Sequence, residues 1–492
     1  MKLLWGPGIK WESKVSIVDI FGSDSSYFYL LGQSQSRQAG LSLAVIETDS
    51  LNVLRRKSLE LPEVGGFTPY FLESLVFAGR SYLITSVDDP SKEAVQLWAF
   101  ELDSSLEMGM EPTMLAEISR EVLARKLPYS IDVSEQDDYL CVSIPLEDNA
   151  ERNEKRELRL FNSDLGLLDA RNIELPHHIE DLRYTGTLLD SDHAYYMLIT
   201  LPSSRIEEIS KAKKIGRDHA LIRYDWKGHT VREKFLSIGT YWIYEARLAL
   251  HESGDIQVFG YFSNMVDLVM SGTFSVAFHR NTGAITAQGL NPFSRNFKSQ
   301  FRPLPSMSER PDLALFQLDD TYSLPNNEQL MVSELRDRRP STIFNPATGT
   351  YLVIENYHFD TILLTSILPS SEIRFNLTIP KFQNSSREVA SYTSYLSWHE
   401  NESLYLVYND HDRNAPLESH AGAKYSVLGG PAHAQAVLYE LRMNGELIKH
   451  VLFRRSPLDG IFTPYFHYAL PRGMVMLTVG NGLWQFFRLS QD

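Results

Sequence analysis

One hairpin is written seven times along this chain, always as an apolar strand, a polar turn and a second strand. It reads "LAVIETDSLNVLRRKSLELP" at 43–62 and returns at 97–118, 158–176, 221–238, 275–290, 361–380 and 437–453. The β-branched and aromatic runs, bounded by Gly, Asn, Asp and Pro, are strand signals. Between successive hairpins lies another strand pair, such as "YSIDVSEQDDYLCVSI" or "YEARLALHESGDIQVFGYF". Each repeat is therefore four antiparallel strands, here lettered a to d. One such sheet cannot bury both of its faces, whereas a ring of them can. The chain reads as all-β, a single β-propeller of four-stranded antiparallel blades.

A second repeat fixes the blade count. "FTPYF" occurs at 67–71 and again at 462–466, in each case ahead of a strand-c signature, "LWAF" at 97–100 and "LWQF" at 483–486. Phe67 and Phe462 are each read as opening a strand a. After "LWQFFRL" the chain stops one strand short, while "KLLW" at 2–5 precedes the first unit's own strand a. The N-terminal strand is thus expected to pair into the C-terminal blade, closing the ring and removing free sheet edges, with Leu3, Leu4 and Trp5 between sheets. The predicted blades are 13–61, 66–119, 127–176, 182–238, 243–291, 312–380, 390–453, and 460–490 plus 2–5, all in one domain. Seven blades is the alternative, should the divergent stretch 292–356 hold none of its own.

Composition narrows the function classes. A net charge of -15 argues against a nucleic-acid partner, which needs Lys and Arg clustered on one face. The basic groups at Arg55–Lys57, 211–214 and Arg336–Arg339 each have acids nearby and read as solvated surface. The single cysteine, Cys141, excludes a disulfide framework within the chain and reads as a buried thiol. No apolar run is long enough for a transmembrane segment. The opening "MKLLWGPGIKWESK" lacks the h-region of a signal peptide, so the chain reads as a mature form or, alternatively, as cytoplasmic.

Candidate sites fall on loops and on the first strands. The apolar stretch "NMVDLVMSG", with Met265, Leu268 and Met270, stands where polar residues are expected; it reads as a partner-binding patch or as packing against the next blade. Residues 202–214 read as a short helix resting on its own blade, and 145–157 as a charged loop. "YNDHDRNAPLE" places Asp410, Asp412, Asn414 and Glu418 with the alternating oxygens of a short calcium loop. Ala415 stands where such loops use Gly, and Asp and Asn are also ordinary turn residues. No cofactor is called for, with calcium the one candidate ion. Tyr70, Tyr129, Tyr395 and Tyr465 lie at the starts of strands a, as packing shared by blades or as rings that stack on sugars. No G-x-S-x-G elbow, H-E-x-x-H pair or phosphate-cradling glycine loop is present.

The stretch "ENYHFDTILLTSILPSSEIRFNLTIPKFQ" at 355–383, with "SYTSYLSWHENESLYLVYNDHDRN" at 391–414, resembles a family of largely uncharacterised Bacteroidota envelope β-propeller proteins. Their shared pattern is an "IPK.Q" strand end followed by an "ND..N" loop, matched by Ile379–Gln383 and by Asn409, Asp410 and Asn414. The resemblance implies an exported protein of the cell envelope, in the periplasm or at the outer-membrane surface, and no activity. Together these readings lead to a non-enzymatic scaffold that binds a protein partner. The alternative is a carbohydrate-active hydrolase or lyase with its site in the central cleft.

Overall fold

A computed structural model describes residues 2–490, apart from 11–14, 23–24, 35–39, 104, 106–107, 110, 125–128, 147–152, 179–181, 203–216, 252–253, 264–269, 299–315, 346–349, 387–389, 415–424 and 472. The chain is an eight-bladed β-propeller. Its strands form eight four-stranded antiparallel sheets, seven in simple sequential order and the eighth completed by the N-terminal strand. Blades 1 to 4 span 15–59, 70–119, 130–178 and 183–236. Blades 5 to 7 span 242–292, 316–385 and 395–453, and blade 8 joins 461–490 to Lys2–Ile9. The divergent stretch holds strands a and b of blade 6, Phe316–Ser323 and Gln329–Asn345, which settles the count at eight. Two compact units divide the chain: Glu12–Ser237 carries blades 1 to 4, and Ile238–Asp492 with Met1–Trp11 carries blades 5 to 8.

Each blade's core alternates along its strands, and the first strand carries a recurring irregularity. In blades 1, 2, 4, 5 and 6 strand a has one extra residue, between Ile17 and Asp19, Phe71 and Glu73, Tyr184 and Gly186, Ile243 and Glu245, and Leu318 and Asp320. Such a bulge re-aims the side chains that follow it. In blades 1, 5 and 6 the acid beside it is then used as a fastener to the next blade, and in blade 3 Asp132 does the same from a regular strand. Within the first unit Ser74 donates to Asp19, and Thr187 Oγ1 donates to Asp132 at 2.5 Å. Within the second the Leu318 amide donates to Glu245 at 2.9 Å, and Ser397 Oγ donates to Asp320 at 2.5 Å. Gly260 lies beside one bulge, where a Cβ would come within 2.1 Å of the Glu245 carbonyl oxygen.

The two FTPYF copies correct one expectation. In blade 8 the motif lies inside strand a (Ile461–Leu470), with Phe462 buried and Pro464 inside a register shift between Thr463 and His467. Proline lacks the ladder donor, so a bulge is where a strand accommodates it. In blade 2 the first three of these letters precede the strand, which begins only at Tyr70, and Phe67 instead bridges back to Val64. Equal sequence thus meets unequal register.

The N-terminal strand Lys2–Ile9 pairs antiparallel with Leu483–Ser490, Leu3 opposite Leu489 and Trp5 opposite Phe487. Trp5 packs against Phe453 and Phe487, with ring centroids 4.9 and 5.0 Å away. The Gln485 side-chain amide donates to the Gly6 carbonyl at 2.8 Å. Leu4 corrects the sequence reading: it faces outward, 36% exposed, because strand neighbours alternate between faces. Deleting residues 1–6 removes Leu3 and Trp5 from the blade, worth about 3 kcal/mol for two part-buried side chains. It also bares the edge of Leu483–Ser490. The truncated chain is expected to melt several degrees lower and to aggregate, as scanning calorimetry and light scattering will read; unchanged melting would show the strand to be dispensable.

Candidate functional site

The densest buried polar cluster among the described residues lies in the second unit, where blades 6, 7 and 8 meet. Glu334, fully buried in strand b of blade 6, interrupts the apolar run "LMVSEL". Its partners come from three directions. Lys381 Nζ lies 2.5 Å away, Arg336 Nε 2.7 Å, and Ser394 Oγ donates at 3.0 Å. Lys381, also fully buried, donates to the Phe359 carbonyl and to Gln383 Oε1, each at 3.0 Å, and lies against Glu334 as an ion pair. Burial pulls the lysine's pKa down, and Glu334 opposes the fall.

Gln383 carries the network onward. Its Oε1 accepts from the Ser394 amide at 2.7 Å, and its Nε2 donates to the Asn409 carbonyl at 2.7 Å. Asn409 in turn donates to the carbonyl of Phe462, 2.8 Å away in blade 8, and to that of Tyr392 at 3.1 Å. The Tyr408 hydroxyl donates to the Pro380 carbonyl at 3.1 Å. Beyond strand d of blade 6, Leu428 adds a short parallel bridge to Gln383. The "IPK.Q" and "ND..N" residues are therefore the two halves of one interblade lock.

Asp319 stands at the open side of this lock. It is the bulge residue of strand a, between Leu318 and Asp320, and it meets Arg336 Nη2 at 3.1 Å and the Tyr395 hydroxyl at 3.0 Å. Burial, with Glu334 and Asp320 adding to it against Arg336, raises its pKa to about 7. Tyr395 is buried in the core shared by blades 6 and 7, and burial together with Asp319 pushes its hydroxyl well up. Tyr465, 39% exposed, reaches the same cluster with its hydroxyl 3.2 Å from Thr393 Oγ1. The group is a carboxyl that titrates near neutrality, flanked by a guanidinium and two phenols.

The other residues singled out from the sequence are dispersed. Tyr70, in the first unit, is 66% exposed, whereas Tyr129 is half-buried near Glu73, its pKa raised by burial and by that acid. Met270 is buried in the core of blades 5 and 6, while Met265 and Leu268 lie outside the described residues, as does most of 202–214. The calcium pattern divides. Asp410 is buried against Asn414 Nδ2 at 2.9 Å, and Asn414 Oδ1 accepts from the Ser426 amide at 2.7 Å. Asp412 turns away to Arg454 Nη2 at 2.9 Å, and Glu418 lies outside the described residues. Cys141 is buried, as expected. The basic run needs correction: Arg336 belongs to the network around Glu334, while Arg338, beside Glu355 at 2.9 Å, faces solvent.

Sequence reasoning passed over Asp319 and Glu334, and picked out Lys381 only as part of the "IPK.Q" pattern. Their signal was a charge inside an apolar strand, which asks for a buried partner. The first unit has a counterpart in blade 3, where buried Glu154 and Arg156 pair at 2.8 Å and the Tyr184 hydroxyl donates to Glu154 at 2.5 Å.

No protein-family model and no curated protein matches the chain. Among solved structures, the β-propeller domain of the Trilobed protease from Pyrococcus furiosus is 8% identical, covering 76% of this chain and 96% of its own, with a TM-score of 0.35. The WD40 domain of SCAP from fission yeast is 10% identical, covering 100% and 95%, with a TM-score of 0.37. The polysaccharide lyase Uly1 is 9% identical, covering 88% and 94%, at 0.41. Likeness this distant carries no chemistry across. Among the described residues, no helix is long and apolar enough to cross a membrane.

Two outcomes test the cluster. Lys381→Met leaves Glu334 short of its buried partner and is expected to cost about 3–5 kcal/mol. Pairing it with Glu334→Gln should recover much of that loss in denaturant melts, and a double variant no more stable than the single one would refute the coupling. Asp319 carries the pH dependence. Its folded-state pKa lies above the unfolded one, so the native chain binds the extra proton and stability falls as pH rises from about 4 to about 7. The span is at most about 4 kcal/mol and is reduced by solvent at a part-exposed carboxyl. Asp319→Asn should therefore match the wild type near pH 4 and melt higher near pH 8; equal melting at both would refute the raised value.

Proposed function

We propose that this propeller is a non-enzymatic binding scaffold for a protein partner at the bacterial cell envelope. The observation that carries the reading is a ribbon on blade 6. Strand a of that blade pairs only as far as Leu335, and strand d only as far as Tyr357. Beyond them, among the described residues, strands b and c pair with each other alone, from Arg339 opposite Asn356 to Asn345 opposite Thr350. At about 3.3 Å per residue this two-stranded arm runs on for roughly 23 Å. Its sequence includes Ile343, Phe344, Leu352, Val353 and Ile354, and Tyr351 is 71% exposed. An isolated two-stranded hairpin is marginal in water, so an apolar one is best accounted for by a partner that completes it. The acids of the buried cluster meanwhile serve the blades: Glu334, Asp320 and Glu245 all accept from neighbouring strands. The envelope location rests on the resemblance of 355–414.

One observation favours the second reading, a carbohydrate-active hydrolase or lyase. Asp319, titrating near neutrality beside Arg336, Tyr395 and exposed Tyr465, has the make-up of a general acid or base over a sugar-stacking ring. A photo-crosslinker at Tyr351 should trap one protein in intact cells, in the envelope fraction. The same probe at Val53, exposed on strand d of blade 1, should not. Recovery as a free monomer from both, together with polysaccharide turnover abolished by Asp319→Asn, would replace the scaffold reading with the enzyme.

A further inference from the structure

The geometry points to a transition-metal site, of zinc type, formed by His411, Asp412 and His433 at one end of blade 7. His411 closes strand b (Ser403–His411), and His433 ends the one-turn helix Pro431–His433 that leads into strand c (Ala434–Arg442). The Asp412 amide donates to the His433 carbonyl at 2.9 Å, so the backbone itself holds the two segments together. Arg455 Nη2 donates to the Pro431 carbonyl at 2.7 Å and ties down the turn that carries His433.

The donor atoms converge. His411 Nδ1 lies 3.0 Å from Asp412 Oδ1, and His433 Nδ1 lies 3.3 Å from Asp412 Oδ2. Bonds of about 2.0–2.1 Å to a tetrahedral ion set neighbouring ligand atoms about 3.3 Å apart, close to the distance of each imidazole nitrogen from its own nearer Asp412 oxygen. The three donors lie within 4.8 Å of one another, so a turn of one side chain closes the remaining edge. His433 is the one free to make it, with 56% of its side chain exposed. The two imidazoles are stacked, with centroids 4.9 Å apart and planes 6° from parallel, so His433 must rotate out of the stack before both in-plane lone pairs can meet one ion.

The Arg413 amide donates to His411 Nδ1 at 3.2 Å, and an ion bound at that nitrogen takes the place of this hydrogen bond, because the ring nitrogen has a single lone pair there. Arg454, 2.9 Å from Asp412 Oδ2, fills the place of an outer partner that orients a ligating carboxylate. Two imidazoles and one carboxylate suit Zn²⁺ rather than Ca²⁺, which takes six or more oxygens. The calcium-like spacing and this site share only Asp412. The fourth position is left for water or a partner's side chain.

The test uses the full chain without an affinity tag, stripped with a chelator and titrated with Co²⁺. The expected result is one equivalent bound with the visible absorption of a tetrahedral ion, displaced by Zn²⁺, and a melting temperature raised by Zn²⁺ but not by Ca²⁺. His433→Asn, at an exposed position, should keep the apo melting temperature and lose at least tenfold in Co²⁺ affinity. Silence of the wild type towards both ions would overturn the site, and so would equal binding by wild type and variant. In either case His411, Asp412 and Arg454 would be an ordinary ion-pair cluster.

Discussion

The buried pair of Glu334 and Lys381 is the constraint on which the second unit turns. Two charges without water cost several kcal/mol each unless their hydrogen-bonding capacity is filled. Blade 6 alone does not fill it. Ser394, at the entry to blade 7, supplies a donor to Glu334, and Gln383 passes the connection to Asn409 and so to the Phe462 carbonyl of blade 8. The charges are satisfied only when three consecutive sheets stand in register. A polar network of this kind adds specificity where apolar packing alone tolerates sliding between faces.

The same logic runs more cheaply elsewhere. Asp19, Asp132, Glu245 and Asp320 each take a hydrogen from the next sheet, through Ser74, Thr187, the Leu318 amide and Ser397. The spacing follows the repeat: Ser74 and Thr187 each stand 55 residues beyond their acids. Asp319 departs from the pattern. The bulge adds it beside Asp320, so blade 6 presents two acids where one fastener is needed. The second meets Arg336 and Tyr395 at the edge of the lock, where burial raises its pKa to about 7.

The blades were legible because period-two apolar runs and turn residues are local signals repeated many times; the hairpin copies and the shared "LW.F" strands sufficed to place the closing strand Lys2–Ile9. The start of strand a in blade 2 was not, because the choice between extending through Pro69 or pausing before it depends on what faces the proline, and FTPYF reads the same in both places. The lock was half legible. Lys381, Gln383 and Asn409 stood out as a pattern, but their partner Glu334 lies 47 residues before Lys381, and no local spacing joins them. The calcium reading failed to assemble for a related reason. Asp410 is inside the strand and enters the interior towards Asn414, whereas Asp412 lies past the strand's end at His411, where the chain turns and its carboxylate meets Arg454.

Blade 6 joins these features and separates two uses of one sheet. Its lower strands carry the lock, in which every charge is committed to holding blades together. Among the described residues, its strands b and c then outrun their neighbours, with Arg339–Asn345 and Thr350–Asn356 paired to each other. Strand length beyond what a blade needs adds ordering entropy. A scaffold anchored as firmly as this one, by a buried ion pair at the root of the arm, keeps that cost low for whatever completes the ribbon, because the arm's base is already fixed. Rigidity at Glu334 and Lys381 and exposure at Tyr351 are in this sense one design: the lock sets the direction in which the ribbon is offered.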